Sequence, residues 1–91
     1  MNNEYERMEF WQPNNTIKEK VFTTSPNIKR VKYYSNTNTL EIETMNGKLY
    51  HYYMVPLEVA SNMLKTNDKE IGAYWHNVIK GRYRFINVNG W

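Results

Sequence analysis

Cysteine is absent from the 91-residue chain. That excludes a disulfide scaffold, a thiol nucleophile and any cysteine-based zinc or iron–sulfur site. Glycine is scarce, and its four copies, Gly47, Gly72, Gly81 and Gly90, are too dispersed to form a phosphate-cradling loop. No apolar run approaches the roughly 20 residues of a membrane-spanning helix. The opening residues Met1–Arg7 lack the apolar stretch of a secretory signal. A cytoplasmic protein with no membrane attachment is therefore expected. Histidine is nearly absent too. His51 and His76 stand alone, with no second ligand at metal-binding spacing. Ser25, Ser35 and Ser61 sit in no nucleophile-elbow context. Glu41 and Glu43 share a strand face, where they more naturally solvate the surface or oppose cations on a neighbouring strand than act as an acid/base pair. No catalytic residue, metal site or cofactor is expected.

What the chain does contain is aromatic and basic. Eight Tyr and three Trp accompany thirteen Asn, against two Ala. The Asn, Lys, Tyr and Ile bias suggests AT-rich coding, as in a low-GC bacterium or its phage. With 41% hydrophobic and 15% aromatic residues the chain can collapse into one small domain. The net charge of +3 is unevenly spread. Residues 1–19 carry two basic and four acidic side chains, and residues 20–91 carry ten basic and five acidic ones. Such an excess favours anionic partners, although a solvated basic face has the same composition.

Residues 1–24 read as an N-terminal extension, with a strand over Thr16–Thr23 and an oligomer contact as its expected features. From residue 25 the pattern is clearer. Ile28–Tyr34 and Thr39–Met45 alternate, and a four-residue turn at Ser35–Asn38 would pair Tyr33 with Leu40 and Val31 with Ile42. Asn46-Gly47 signals a second hairpin into Lys48–Met54. Val55-Pro56 opens a helix carrying Leu57, Ala60, Met63 and Leu64. Asn67 or Asp68 can cap a second helix, in which Ile71, Tyr74, Trp75, Val78 and Ile79 form one stripe. Gly81 fits its stop, and Tyr83–Val88 reads as a last short strand. The expected class is α+β: a small antiparallel meander of three core strands, with one or two more, and two helices packed on one face.

Two basic–aromatic clusters stand out, Lys29-Arg30-Val31-Lys32-Tyr33-Tyr34 and Lys80-Gly81-Arg82-Tyr83-Arg84, with Tyr50-His51-Tyr52-Tyr53 between them. Tyr rings and Arg planes stack on bases, and Lys and Arg neutralise phosphates. Tyr equally fills small cores with its hydroxyl at the edge, which is the expectation for Tyr33 and Tyr74. For Tyr50 and Tyr52 one register decides. A two-residue Asn46-Gly47 loop puts both on the face away from Leu40 and Ile42. A three-residue loop with a bulge at Gly47 puts both on the same face as Leu40 and Ile42. Asn-Gly favours the two-residue loop, and that is the register expected.

Taken in order, Asn27-Ile28-Lys29-Arg30-Val31, Thr39-Leu40-Glu41-Ile42-Glu43, Gly47, Tyr50-His51-Tyr52, Val55-Pro56, Gly72-Ala73-Tyr74-Trp75-His76-Asn77 and Ile79-Lys80-Gly81-Arg82-Tyr83 resemble the KTSC domain. That module is named for its place at the C-terminus of some lysyl-tRNA synthetases, and it also occurs alone in short bacterial proteins. The resemblance covers roughly residues 25–85 as a single module, with Tyr50 and Tyr52 matching its central Tyr-x-Tyr. It implies no catalytic residues, and RNA binding follows from it only by association with a synthetase.

Three functions are expected in descending order. The first is a non-catalytic module binding RNA or nucleotides. Lys29, Arg30 and Lys32 would serve phosphate, Tyr50 and Tyr52 stacking, and Arg82 and Arg84 phosphate or base edges. His51, His76 and Asn77 would add hydrogen bonds, and Lys80 and Tyr83 complete the surface. The second is an oligomer that sequesters a small nucleotide signal at subunit interfaces, as some phage proteins do. The third is a protein–protein interaction subunit that uses the acidic extension. Phe10, Trp11 and Phe22 in that extension need burial, on the module or on a second copy in a homo-oligomer.

Overall fold

The computed structural model describes residues 17–89. Five strands form one antiparallel sheet in simple sequential order: β1 (Ile17–Val21), β2 (Ile28–Tyr34), β3 (Thr39–Thr44), β4 (Leu49–Tyr52) and β5 (Phe85–Asn87). Between β4 and β5 the chain runs through helix α1 (Leu57–Leu64) and helix α2 (Ile71–Tyr74), which continues as a π-helical turn over Trp75–Ile79. The α+β class and both helices are as the periodicities predict. The sheet has five strands, because the flanking segments add one at each edge.

The first hairpin has the expected register, Tyr33 opposite Leu40 and Val31 opposite Ile42. A register shift between Ile28 and Arg30 turns Lys29 outward and lets both Ile28 and Val31 face the core. The second hairpin corrects the expectation. Tyr50 lies opposite Ile42 and Tyr52 opposite Leu40, so both tyrosines share the helix-covered face. Met45-Asn46-Gly47 is a three-residue loop. Thr44 N–H donates to Lys48 O at 2.9 Å and Gly47 N–H to Thr44 O at 3.0 Å, and Gly47 takes φ 91°. Glycine supplies the left-handed bulge position as readily as it supplies a two-residue turn. The Thr44 hydroxyl fixes the choice locally, donating to Asn46 Oδ1 and accepting from Lys48 N–H.

The core lies between the sheet and the helices. Val31, Tyr33, Leu40, Ile42 and Tyr52 from the sheet meet Ala60, Met63, Ile71 and Ile79 from the helices. Phe22, just beyond β1, is 1% exposed in the same core, so this aromatic of the extension packs on the module itself. Lys20 closes that edge, with its Nζ 4.8 Å from the Phe22 ring centre and 2.8 Å from Thr66 O just past α1. The expected packing of Phe10 and Trp11 lies outside the described residues. Asn67 caps the turn into α2 by accepting Glu70 N–H, while Asp68 instead accepts the Thr24 N–H and hydroxyl, clamping the loop after β1 to the helices. Tyr33 and Tyr74 take the core roles expected of them, with hydroxyls donating to Val55 O at 2.6 Å and Val59 O at 2.9 Å.

Candidate functional site

The register of β4 decides what the surface can do. It splits the sequence-predicted residues between the two faces of the sheet. Lys29, Arg30, Lys32 and His51 lie away from the helices, where carboxylates from neighbouring strands meet three of them. Arg30 bridges Glu19 and Glu43, both at 3.3 Å, and Lys29 Nζ lies 3.8 Å from Glu43. His51 Nε2 sits 2.8 Å from Glu41, which also accepts the Tyr34 hydroxyl at 3.3 Å. Burial, with the Glu41 charge behind it, pushes the Tyr34 phenol above its ordinary value. Lys29 and Arg30 on this face already have carboxylate partners, which weakens it as a platform for phosphate.

On the helix side, β4 and β5 extend beyond the cover of the helices. Tyr50 occupies the gap, half-buried. Its ring centre lies 5.9 Å from Trp75, 5.7 Å from Phe85 and 6.3 Å from Tyr52. Tyr52 corrects the expectation of an open stacking residue. It is 2% exposed, with its ring stacked on Phe85 at 5.2 Å. Its hydroxyl accepts the Trp75 indole N–H at 3.1 Å. Burial raises the Tyr52 phenol, against the pull of that N–H. Tyr52 therefore acts as the floor of the site. Lys80 Nζ stands 4.6 Å from the Trp75 ring centre, and these residues with Gly81 line a hollow of about 150 Å³. A cavity of that order holds one aromatic ring. Tyr50 and Trp75 also line an adjoining cleft of about 440 Å³, whose other walls include Asn27, Asn46 and Lys48.

The remaining predicted residues gather next door. Arg82, Tyr83 and Arg84 line a hollow with Tyr53 and Met54. His76 and Asn77 are exposed on the π-helical turn, and Asn77 O accepts the Arg82 Nε–H at 3.2 Å. Asn77 otherwise lines a separate cleft with Tyr74, Glu70 and Thr66. Trp75, Phe85 and Lys48 were missed as site residues. Trp75 belongs to the apolar stripe of α2, and only the crossing of that helix over β4 brings it to Tyr50. Among the described residues no group of three or more His, Asp or Glu comes together as a metal site. Among them, too, no helix is long and apolar enough to cross a membrane.

Comparison with known proteins supports the same reading of the fold. The sequence profile of the KTSC domain matches residues 24–83. The chain is 38% identical over 62 residues to a lysine–tRNA ligase of Trichormus variabilis, and 36% identical over 62 residues to one from a Nostoc species. Each alignment covers 68% of this chain and 11% of the relative, so the chain spans about a tenth of the length of the curated relatives it matches. A crystal structure of a KTSC domain protein from Yersinia pestis superposes with a TM-score of 0.66 at 25% identity, covering 78% of this chain and 96% of that one. With the β2–β3 and β3–β4 hairpins, the Tyr50–Tyr52 pair and both helices inside the matched span, this chain belongs to the KTSC domain family.

Proposed function

We propose that the protein is a non-catalytic module that binds single-stranded RNA through the Tyr50–Trp75–Phe85 hollow. The observation that carries this is a ring-sized aromatic recess with cations at its rim. Tyr50 and Trp75 offer partly exposed π-surfaces over a rigid floor of Tyr52 and Phe85. Lys80 stands at one rim and Lys48 at the adjoining cleft. Aromatic recesses flanked by cations take unstacked bases, with the ammonium groups on the phosphates. The relatives point the same way by name, since the module lies within ligases that act on tRNA.

Anisotropy of a labelled single-stranded ten-nucleotide RNA, titrated with the full chain across a salt series, tests this. Affinity should fall as salt rises, with a log–log slope of about −1.4 if Lys48 and Lys80 each neutralise one phosphate of the single strand. Tyr50→Ala should weaken binding about tenfold, and unfolding curves would confirm that the variant folds. Absence of binding at low salt, or binding indifferent to Tyr50, overturns the proposal.

A further inference from the structure

The hollow beside the aromatic recess is not a separate feature of the surface. Three pairs of consecutive residues straddle the two hollows: Tyr52 and Tyr53, Gly81 and Arg82, Phe85 and Arg84. The first member of each lines the recess and the second lines its neighbour. Successive side chains alternate across a strand, so this shared backbone is the wall: Tyr52 faces the helices, and Tyr53, its ring centre 6.4 Å from that of His51, faces the other side. Tyr53 N–H donates to Arg84 O at 2.9 Å, fixing that wall where strand pairing continues past β4.

The ridge between them is a tight turn. Arg82 N–H donates to Ile79 O at 3.2 Å; Lys80 adopts φ −65°, ψ 133°, and Gly81 φ 80°. These are the dihedrals of a type II turn, whose third position suits glycine. A Cβ built on Gly81 would meet nothing within 4 Å, so this backbone is open to a ligand. Lys80 lines the first hollow and Arg82 the second.

The second hollow repeats the chemistry of the first. It offers two phenols, Tyr53 and Tyr83, and two guanidinium groups, Arg82 and Arg84. Met54 completes it, 83% exposed and held at φ 57°. Left-handed backbone is unfavourable for a side chain of this size, and an exposed apolar residue kept there has no packing reason to stay. Its thioether would meet a base edge.

Resting on the RNA-binding reading above, we infer that the two hollows form a dinucleotide site. One base enters the Tyr50–Trp75 recess and the next enters the Tyr53–Tyr83 hollow. Their linking phosphate crosses the Lys80-Gly81-Arg82 ridge. The ligand class is thus a strand of at least two nucleotides, and a mononucleotide fills only half of the site.

The test compares adenosine 5′-monophosphate with the 5′-phosphorylated adenosine dinucleotide, by calorimetry on the full chain. Amide shifts would report which hollow each ligand reaches. The dinucleotide should bind about tenfold tighter. Arg84→Ala should remove most of that advantage and leave the monophosphate affinity within about twofold, because Arg84 lines only the second hollow. Tyr53→Ala should do the same by removing a stacking ring. Equal affinity of the two ligands, or equal weakening of both by the arginine variant, overturns the two-hollow site and leaves the single recess standing. If neither these ligands nor the ten-nucleotide RNA binds, the RNA-binding reading falls and this inference with it.

Discussion

The indole N–H of Trp75 donates to the phenolic oxygen of Tyr52, joining the π-helical turn to strand β4 beneath the recess. Trp75→Phe keeps an aromatic ring and deletes the donor. Its expected cost is about 1 kcal/mol in urea-unfolding free energy, the ordinary worth of one neutral hydrogen bond. The same N–H favours the phenolate of Tyr52, so the Tyr52 phenol should titrate still higher in the variant. The folded-state value of Tyr52 already lies above its unfolded value near 10. The stabilisation linked to Tyr52 is therefore complete below about pH 10 and lost as pH rises through the folded value. Absorbance titration alongside unfolding curves reads both effects.

Tyr33 performs a different task, locking the first hairpin to the start of α1. Its buried hydroxyl donates to Val55 O at 2.6 Å and accepts from Asn38 Nδ2 at 2.8 Å. Asn38 itself sits at φ 52°, a conformation asparagine tolerates better than most residues. Tyr33→Phe leaves the Val55 carbonyl and the Asn38 amide without this partner. It should destabilise by about 1–3 kcal/mol, the desolvation cost of unsatisfied buried groups. A loss below a few tenths of a kcal/mol, on the same scale, would mean that water replaces the hydroxyl.

Much of this was legible because it is local. Alternation from Ile28 to Ile42 and a four-residue turn dictate the first hairpin, and stripes of Leu57–Leu64 and Ile71–Ile79 dictate the helices. The second hairpin was not legible, because Gly47 serves two loop geometries and Leu49-Tyr50-His51-Tyr52 is amphipathic in either register. What selects one is distant in sequence. Phe85 and Trp75 supply apolar partners only for the register that turns Tyr50 and Tyr52 toward the helices. The cations of β2 were visible as a run, but their significance depended on Glu41 and Glu43 one strand away. The expected pairing of Val31 with Ile42 already places Arg30 beside Glu43 and Lys32 beside Glu41. The Arg30–Glu43 ion pair could have been read from the hairpin alone.

Asp68 should make stability depend on acid pH. The Thr24 N–H and hydroxyl both donate to its carboxylate at 2.8 Å and hold its pKa below the ordinary value. Between the folded and unfolded values the unfolded chain binds more protons at this group. Its contribution is therefore present above the unfolded value, about 3.9, and lost as pH falls through the folded one. Asp68→Asn retains an acceptor without the charge. The gap in urea midpoint between wild type and variant should close on acidification. A gap constant from neutral pH down to strong acid would assign the contact no electrostatic share.

Gly81 separates backbone conformation from space, and so tests how the ridge between the hollows is held. At φ 80° a side chain is strained whatever surrounds it, and here nothing surrounds it. Gly81→Ala should therefore cost about 1–2 kcal/mol, the penalty of a left-handed residue carrying a Cβ. The cause would be backbone strain rather than a clash. Gly81→Asn should recover part of that loss, because asparagine visits this region more readily than alanine. Thermal unfolding of the pair decides the matter. If alanine is the less stable, the type II turn is retained under strain. Equal stability would mean that the turn relaxes to another type, which would move Lys80 and Arg82 relative to one another.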